Sequence, residues 1–437
     1  MWKSIIIPLA VVTLLFSCKT PPAGKMAGEM PTGEIPTTGE PKQEREMKKG
    51  AEQPGEKPAP QPETSLPEVS IEKEKPQGMK GKFPVKREIP RITNVMIESY
   101  LKRMSIRQKI GQLFITWVKG RFVNGDIERL IKEGYIGGVI LNRHNIESRD
   151  QLSAFISRMQ QLARSNDPPI ELFVGVDQEG GRVERIKFPE FTRFPAAHYW
   201  GEYGDPYFVE AVGYITGKEL SSIGCNMNFA PVLDLYGRAD DSIIGDRSMG
   251  DNIENVSRFG VFYIFGATEA GIIPVIKHFP GHGVSRIDSH KKLPVVDISE
   301  ETLFSRDIIP FKTAIQYGAE ALMTAHILYR KIDPDNPVTM SKKILKGILR
   351  EKLGFKGVVI SDAIDMGALT GNNSIDDILK KTILAGVDII LVNSKYDVLD
   401  LEKRVLAMYR EGKISLDLID ESVRRIIALK LRHSLIK

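Results

Sequence analysis

Cysteine is almost absent from the chain: 437 residues hold two, Cys18 and Cys225. A scaffold stapled by disulfides is thereby excluded, and each cysteine needs its own explanation. An excess of one charge is missing too. The formal net charge is only +5, with no concentrated basic stripe of the kind that nucleic acid calls for, so no nucleic-acid partner is expected. No internal repeat of twenty to fifty residues is visible, which sets solenoids and propellers aside. The hydrophobic share of 42% and the charged share of 27% are those of a soluble globular protein.

The N-terminus, "MWKSIIIPLAVVTLLFSCKT", has a lone positive charge at Lys3 and an apolar run from Ser4 to Phe16. That run is too short to span a bilayer comfortably and reads as a signal peptide. "LFSC" resembles a bacterial lipobox, which implies cleavage before Cys18 and acylation of its thiol. A plain secretory signal and an uncleaved anchor are the alternatives. The expected location is the cell envelope, lipid-anchored and extracytoplasmic. Lys19 after Cys18 favours the outer membrane in a cell that has two. From 19 to 91 prolines recur, Lys and Glu alternate, and Phe83 is the only aromatic residue. Such a segment cannot bury enough apolar area to offset its chain entropy, so a disordered tether is expected. At ~3.1 Å per residue it could reach on the order of 200 Å. Cys225, in "GCNMNFAPVLDL", reads as a buried strand thiol.

From about residue 92 short Val- and Ile-rich runs alternate with longer helical stretches. Strands are expected near 110–118, 136–142, 172–179, 227–235, 272–279, 321–327, 357–364 and 387–393, with closing helices near 397–412 and 416–432. Continuous rather than alternating apolar runs indicate strands covered on both faces, hence a parallel sheet. Eight of them point to an α/β fold, a (β/α)8 TIM-type barrel filling 92–437. A doubly wound open sheet is the competitor, although no GxGxxG follows the first run.

In a barrel, reactive side chains come from the carboxyl ends of the strands and the loops after them. "DQEGGRVER" (177–185) follows the third run, "KHFPGHGVSRIDSH" (277–290) the fifth, and Asp362 ends the seventh. The second segment holds three of the seven histidines. A metal is conceivable from His278 with His282 and Asp288 with His290. Pro280, Gly281 and Gly283 argue against a helix aligning the first pair, and no HxH ends the first strand, so no metal is expected. A phosphate would use the amides of "PGHG", but no GKS or GKT follows. A proton is the third reading. Residues two apart in an extended loop point the same way, so Asp288 can fix the tautomer of His290 and leave its other nitrogen to give and take a proton. Asp362 would then be the nucleophile; a helix N-cap is its competing role.

"KHFPGHG", four residues, then "DSH" closely resembles the motif of bacterial β-N-acetylglucosaminidases of glycoside hydrolase family 3. "GVDQEGGRVERI", "FTRFPAA", "NFAPVLDL", "IIGDRSMG" and "GFKGVVISDAIDMGAL" match in the same order, so that the resemblance spans about 105–420. It implies a one-domain, retaining exo-glycosidase without a cofactor, in which Asp362 forms the glycosyl-enzyme and His290, partnered by Asp288, is the acid/base. Asp177, Arg185, Arg247, Lys277 and His278 would bind the sugar. Glu179, Arg182 and His282 would shape the loops. The implied substrate is terminal β-linked GlcNAc, as in GlcNAc–MurNAc fragments of peptidoglycan. A broader β-glucosidase, a phosphorylase, a metal hydrolase and a non-catalytic wall-binding lipoprotein are the alternatives.

Overall fold

The computed structural model describes residues 83–84, 92–236, 243–282, 289, 292–371, 373–393 and 395–436. Eight parallel strands organise it: β1 (Phe114–Trp117), β2 (Gly138–Leu141), β3 (Phe173–Val176), β4 (Met227–Asn228), β5 (Ile273–Phe279), β6 (Ala321–Thr324), β7 (Val358–Ser361) and β8 (Ile390–Val392). From β1 to β7 each pairs in parallel with the next, and β1 pairs with β8, Phe114 standing opposite Ile390. Between β7 and β8 a bridge joins Ile360 to Ile389, and the Ser361 N–H donates to the Ile389 carbonyl at 2.9 Å. The sheet therefore returns on itself as a nearly closed barrel, which decides against the open alternative.

All eight expected strands are present, each shorter than its apolar run, and the first and fourth are cut most tellingly. Ile110–Gln112 belong to the helix Ile106–Gln112. Ser105 caps the Gln108 N–H while the Gln108 side chain returns to the Ser105 N–H, and this capping box overrides the β-like composition of the run. The run 227–235 forms a ladder only at Met227–Asn228. Pro231 has no N–H to give to the next strand. The chain stays extended there, and the Leu233 N–H donates to the Lys277 carbonyl at 2.7 Å. The closing helices occupy Val398–Arg410 and Leu416–Arg432.

Helices of the outer layer begin at short polar residues that satisfy orphan amides: Asn124, Ser148, Asn252, Ser374 and Ser415 each accept from an N–H of the first turn. The last helix also closes the amino end of the barrel. Lys430, fully buried, donates to Gln112 Oε1 (2.8 Å), the Gly137 carbonyl (2.8 Å) and the Glu171 carbonyl (2.7 Å), groups that precede β1, β2 and β3.

No helix among the described residues is long and apolar enough to cross a membrane. The expected signal peptide, Cys18 and the tether lie outside the described residues, apart from Phe83 and Pro84. Phe83 stacks on Tyr317 with ring centroids 4.7 Å apart. Cys225 is buried and unpaired by any disulfide, and burial pushes its thiol up to about 12.

Candidate active site

Asp177 follows β3 directly, and the chain then folds into a two-stranded antiparallel hairpin, Gln178–Gly180 against Val183–Glu184. Gly180 and Gly181 turn it with φ of +89° and +57°, and a Cβ on Gly181 would come within 2.6 Å of the Ala196 Cβ. Gln178 pins the hairpin from inside, its Oε1 accepting from the Arg185 and Ile186 N–H groups at 3.0 and 3.1 Å. Asn228, at the end of β4, in turn grips the Gln178 backbone at both its N–H and its carbonyl. Neither amide residue stood out in the sequence.

At the carboxyl end of β5, Lys277 reaches across to this hairpin. Its Nζ donates to Asp177 Oδ1 at 2.8 Å and lies 2.6 Å from Glu179 Oε1. Arg247, on the short 3-10 turn Gly245–Arg247, donates through two nitrogens to the same Glu179 carboxylate at 2.7 and 2.8 Å. Burial alone would raise the Glu179 carboxyl. The charges of Arg247 and Lys277 more than reverse that and hold it well below the usual carboxylate range. Glu179 is thus the ionic hub of the pocket, as the loop-shaping role implies. Arg182 braces the neighbouring segment through the Ile243 and Ile244 carbonyls and Asp246.

Arg185 is half-buried with Nη2 at 3.6 Å from Asp177 Oδ2, beyond hydrogen-bond length. Its buried Nε has no hydrogen-bond partner among the described residues. A partly exposed carboxylate beside an unsatisfied donor is what a sugar hydroxyl can satisfy, since it both gives and accepts.

Asp234, in "NFAPVLDL", is a site residue that sequence reasoning missed. It is wholly buried at the end of an apolar run. Its carboxylate accepts the His278 N–H at 3.2 Å and the His282 N–H at 2.6 Å, and its Oδ2 lies 2.7 Å from His278 Nδ1. Burial opposes its ionisation, but the two histidines outweigh burial and keep the carboxyl below its ordinary value. The signal that could have found it is the charge itself, which an apolar strand end would not otherwise carry. Asp234 thereby shapes the segment His278–His282. Gly281 in that segment has φ +138°, and a Cβ there would sit 2.9 Å from the Asp307 Cβ. Burial, then the charge of His278, depresses His282 to about 4, so its ring is neutral near pH 7.

Asp362 follows β7, half-buried, with Oδ1 accepting the Ala363 N–H at 2.7 Å. The next helix starts only at Gly367, after Met366, so the carboxylate is not a helix cap. His326, wholly buried, lies with Nε2 3.0 Å from the Ala363 carbonyl and Nδ1 2.7 Å from Thr339 Oγ1, and so braces the backbone that follows Asp362. The Asp362 charge acts on His282 in the sense opposite to burial, favouring its charged form, but does not offset burial.

Asp288 and His290 lie outside the described residues. Ser289 between them is described: its carbonyl accepts the Ala368 N–H at 3.1 Å, and its Oγ is 3.4 Å from His282 Nε2. Among the described residues no group of three or more His, Cys, Asp or Glu could hold a metal ion.

A nearly closed parallel barrel with polar groups gathered at the carboxyl strand ends is the architecture of a barrel enzyme. The "Glycosyl hydrolase family 3 N terminal domain" matches residues 105–429. Beta-hexosaminidase A of Pseudoalteromonas piscicida is 32% identical over 330 residues, covering 70% of this chain and 55% of that protein. A beta-hexosaminidase of Thioalkalivibrio sulfidiphilus is 37% identical over 270 residues, 60% of this chain and 75% of the relative. The solved family 3 beta-N-acetylglucosaminidase of Paenibacillus sp. FPU-7 superposes with a TM-score of 0.74 at 36% identity, over 76% of this chain and 63% of that one. The chain belongs to glycosyl hydrolase family 3. It spans little more than half the length of the first of these relatives and under two thirds of the solved one.

Proposed function

We propose that the protein is a retaining exo-β-N-acetylglucosaminidase that removes terminal β-linked GlcNAc. The observation that carries this reading is the half-buried Asp362 carboxylate at the end of β7, in a family 3 barrel whose third strand is followed by Asp177 and the orphaned Arg185 donor. The names of the beta-hexosaminidase relatives support the substrate class. In the proposed reaction Asp362 attacks the anomeric carbon and forms a glycosyl ester. His290, oriented by Asp288, protonates the departing oxygen and then takes a proton from water. An unperturbed imidazole titrates near ~6.5, so the step needs little tuning near neutrality. Asp177 accepts from ring hydroxyls. Arg185, Arg247, Lys277 and His278 bind the rest of the sugar, with Glu179 holding two of these cations in place.

The proposed source of substrate is GlcNAc–MurNAc fragments of peptidoglycan, and the proposed location is the cell envelope, with the chain acylated at Cys18. The apolar run ending in "LFSC" and the proline- and charge-rich segment after it support the anchor. Palmitate labelling of wild type and Cys18→Ala tests it, with label expected on the wild type alone.

The activity is tested with an aryl β-GlcNAc glycoside, following the first-formed sugar by NMR. Release of the β-anomer is expected. Release of the α-anomer would refute the covalent mechanism, and no release at all would refute the glycosidase. Repeating the assay in phosphate distinguishes hydrolysis, which yields free GlcNAc, from transfer to phosphate.

A further inference from the structure

Asp307 lies against the segment His278–His282 that Asp234 holds from another side. It is 1% exposed, and neither of its carboxyl oxygens has a hydrogen-bond partner among the described residues. It immediately precedes the helix Ile308–Gln316, where an aspartate ordinarily accepts from a first-turn N–H, yet its side chain makes no such bond. The side chain packs on Gly281 instead: a Cβ on that glycine would come within 2.9 Å of the Asp307 Cβ and 3.6 Å of its Oδ1. Burying a carboxyl with no partner destabilises a fold, and here the cap that could have satisfied it is left unmade. A group kept against stability beside a reactive segment is a candidate for a functional role.

Gly281 is held by a second group. Tyr329, wholly buried in the segment after β6, donates its hydroxyl to the Gly281 carbonyl at 2.6 Å. Burial, then the charges of Asp307 and Asp234, keep that hydroxyl protonated, so it has one proton to share out. Burial pushes the Asp307 carboxyl from 3.8 up to about 6; Arg306 beside it opposes this, and the Asp234 charge adds to it. Below that value Asp307 is neutral and leaves Tyr329 to Gly281. Above it the Asp307 proton passes to water, and the carboxylate left behind accepts more strongly than a carbonyl. The other titratable groups of the segment are His278, paired with Asp234, and His282. His282, held at about 4, stays neutral above pH 5 and takes no part in such a change.

We propose that Asp307 and Tyr329 are positioning residues for the segment His278–His282. With Asp307 neutral, the Tyr329 hydroxyl ties down the Gly281 carbonyl and the segment keeps its shape. With Asp307 ionised, the hydroxyl turns to the carboxylate and the segment loosens. The segment carries His278, follows Lys277, and leads in sequence to Asp288 and His290. The effect on catalysis therefore rests on the glycosidase reading, whereas the hydrogen-bond switch does not. Neither residue touches the bond that is cleaved.

Hydrogen exchange tests the switch directly. Protection of the peptide that spans Gly281 and His282 is read by mass spectrometry on the full chain at pH 5 and pH 8, corrected for the intrinsic effect of pH. In the wild type it is expected to fall about tenfold between the two, the scale of one hydrogen bond. Asp307→Asn keeps the shape without the charge, so its protection should be the same at both. It also keeps His278 and Asp234, so a fall that persists in it belongs to that pair and overturns the proposal. Tyr329→Phe should be as weakly protected at pH 5 as the wild type is at pH 8; wild-type protection in this variant at pH 5 would overturn the proposal too. Activity supplies a second readout, with an aryl β-GlcNAc glycoside whose activated phenol departs without a proton from His290. The wild-type kcat/KM should decline as pH rises through about 6, and Asp307→Asn should lose that decline. Identical profiles for the two would contradict the positioning role. If the wild type cleaves no such glycoside at any pH, the glycosidase reading fails by itself, and the exchange measurement still decides the switch.

Discussion

Asp234 and Glu179 show how much of the pocket depends on buried carboxylates that need not touch a substrate. Glu179 holds Lys277 and Arg247 together. Removing its charge leaves the buried Lys277 and the half-buried Arg247 with only Asp177 and Asp234 to balance them, and breaking a buried pair in this way typically costs about 3–5 kcal/mol. Glu179→Gln is therefore expected to lower the urea midpoint, and an unchanged midpoint would deny it the role of hub. Asp234→Asn keeps one acceptor for the two backbone N–H groups but loses the carboxylate oxygen that meets His278 Nδ1 at 2.7 Å. The expected result is a fall in kcat of about 10- to 100-fold, in line with the loss of an outer-shell support, while the fold survives by circular dichroism. Full activity would show that the segment His278–His282 holds its shape unaided. Glu402 gives a residue-scale effect on stability. It is buried with both oxygens unpartnered among the described residues, and burial pushes it from 4.5 up to about 8 against a smaller opposing effect of Arg107. A carboxyl raised in the fold favours the protonated state, so its contribution is complete below the unfolded value of 4.5 and is lost as pH rises toward 8. Thermal melts of Glu402→Gln should match wild type at pH 5 and lie several degrees higher at pH 8. Parallel curves at both pH values would contradict this.

Elements were legible in the sequence where the apolar pattern ran without interruption. The runs at β2, β3, β6, β7 and β8 fall within a residue or a few of the expected strands, because strands buried on both faces must be apolar throughout. The failures are local. The Ser105–Gln108 capping box converts the start of the first run to helix, and Pro231 cuts the fourth; both effects are decided by one or two hydrogen bonds that an apolar count does not see. The hairpin in "DQEGGRVER" escaped for a similar reason, since three- and two-residue strands are too short for any periodicity. The last helix carries a prediction at this scale. Lys430→Met would leave Gln112 Oε1 and the Glu171 carbonyl without their donor, while the Gly137 carbonyl keeps only the Phe173 N–H. At ~1–3 kcal/mol for each unsatisfied buried acceptor, a loss of several kcal/mol is expected in urea unfolding. A midpoint equal to wild type would mean that the barrel floor does not depend on this lysine.

At the scale of the whole molecule, barrel topology collects residues that are far apart in sequence. Asp177, Arg247 and Lys277 come from three different segments of the sequence yet meet around Glu179, and Asp362 follows another strand of the same barrel. What could not be anticipated is the wiring among them: Glu179 bridging two cations, Asp234 holding two histidines, His326 bracing the chain after Asp362. Such contacts depend on side-chain reach across the barrel, which the order of residues does not encode. Asp288 and His290 lie outside the described residues, and Ser289 between them meets the Ala368 N–H on the seventh-strand side of the pocket. The account's central claim is that Asp362 becomes covalently bonded to the sugar. Incubation with a fluorinated GlcNAc-type glycoside that slows hydrolysis of the intermediate, followed by proteolysis and mass spectrometry, tests it most directly. The account predicts one sugar mass on the peptide containing Asp362, abolished in Asp362→Ala. A sugar on Asp177 or another carboxylate, or continued turnover by Asp362→Ala with no labelled peptide, would contradict it.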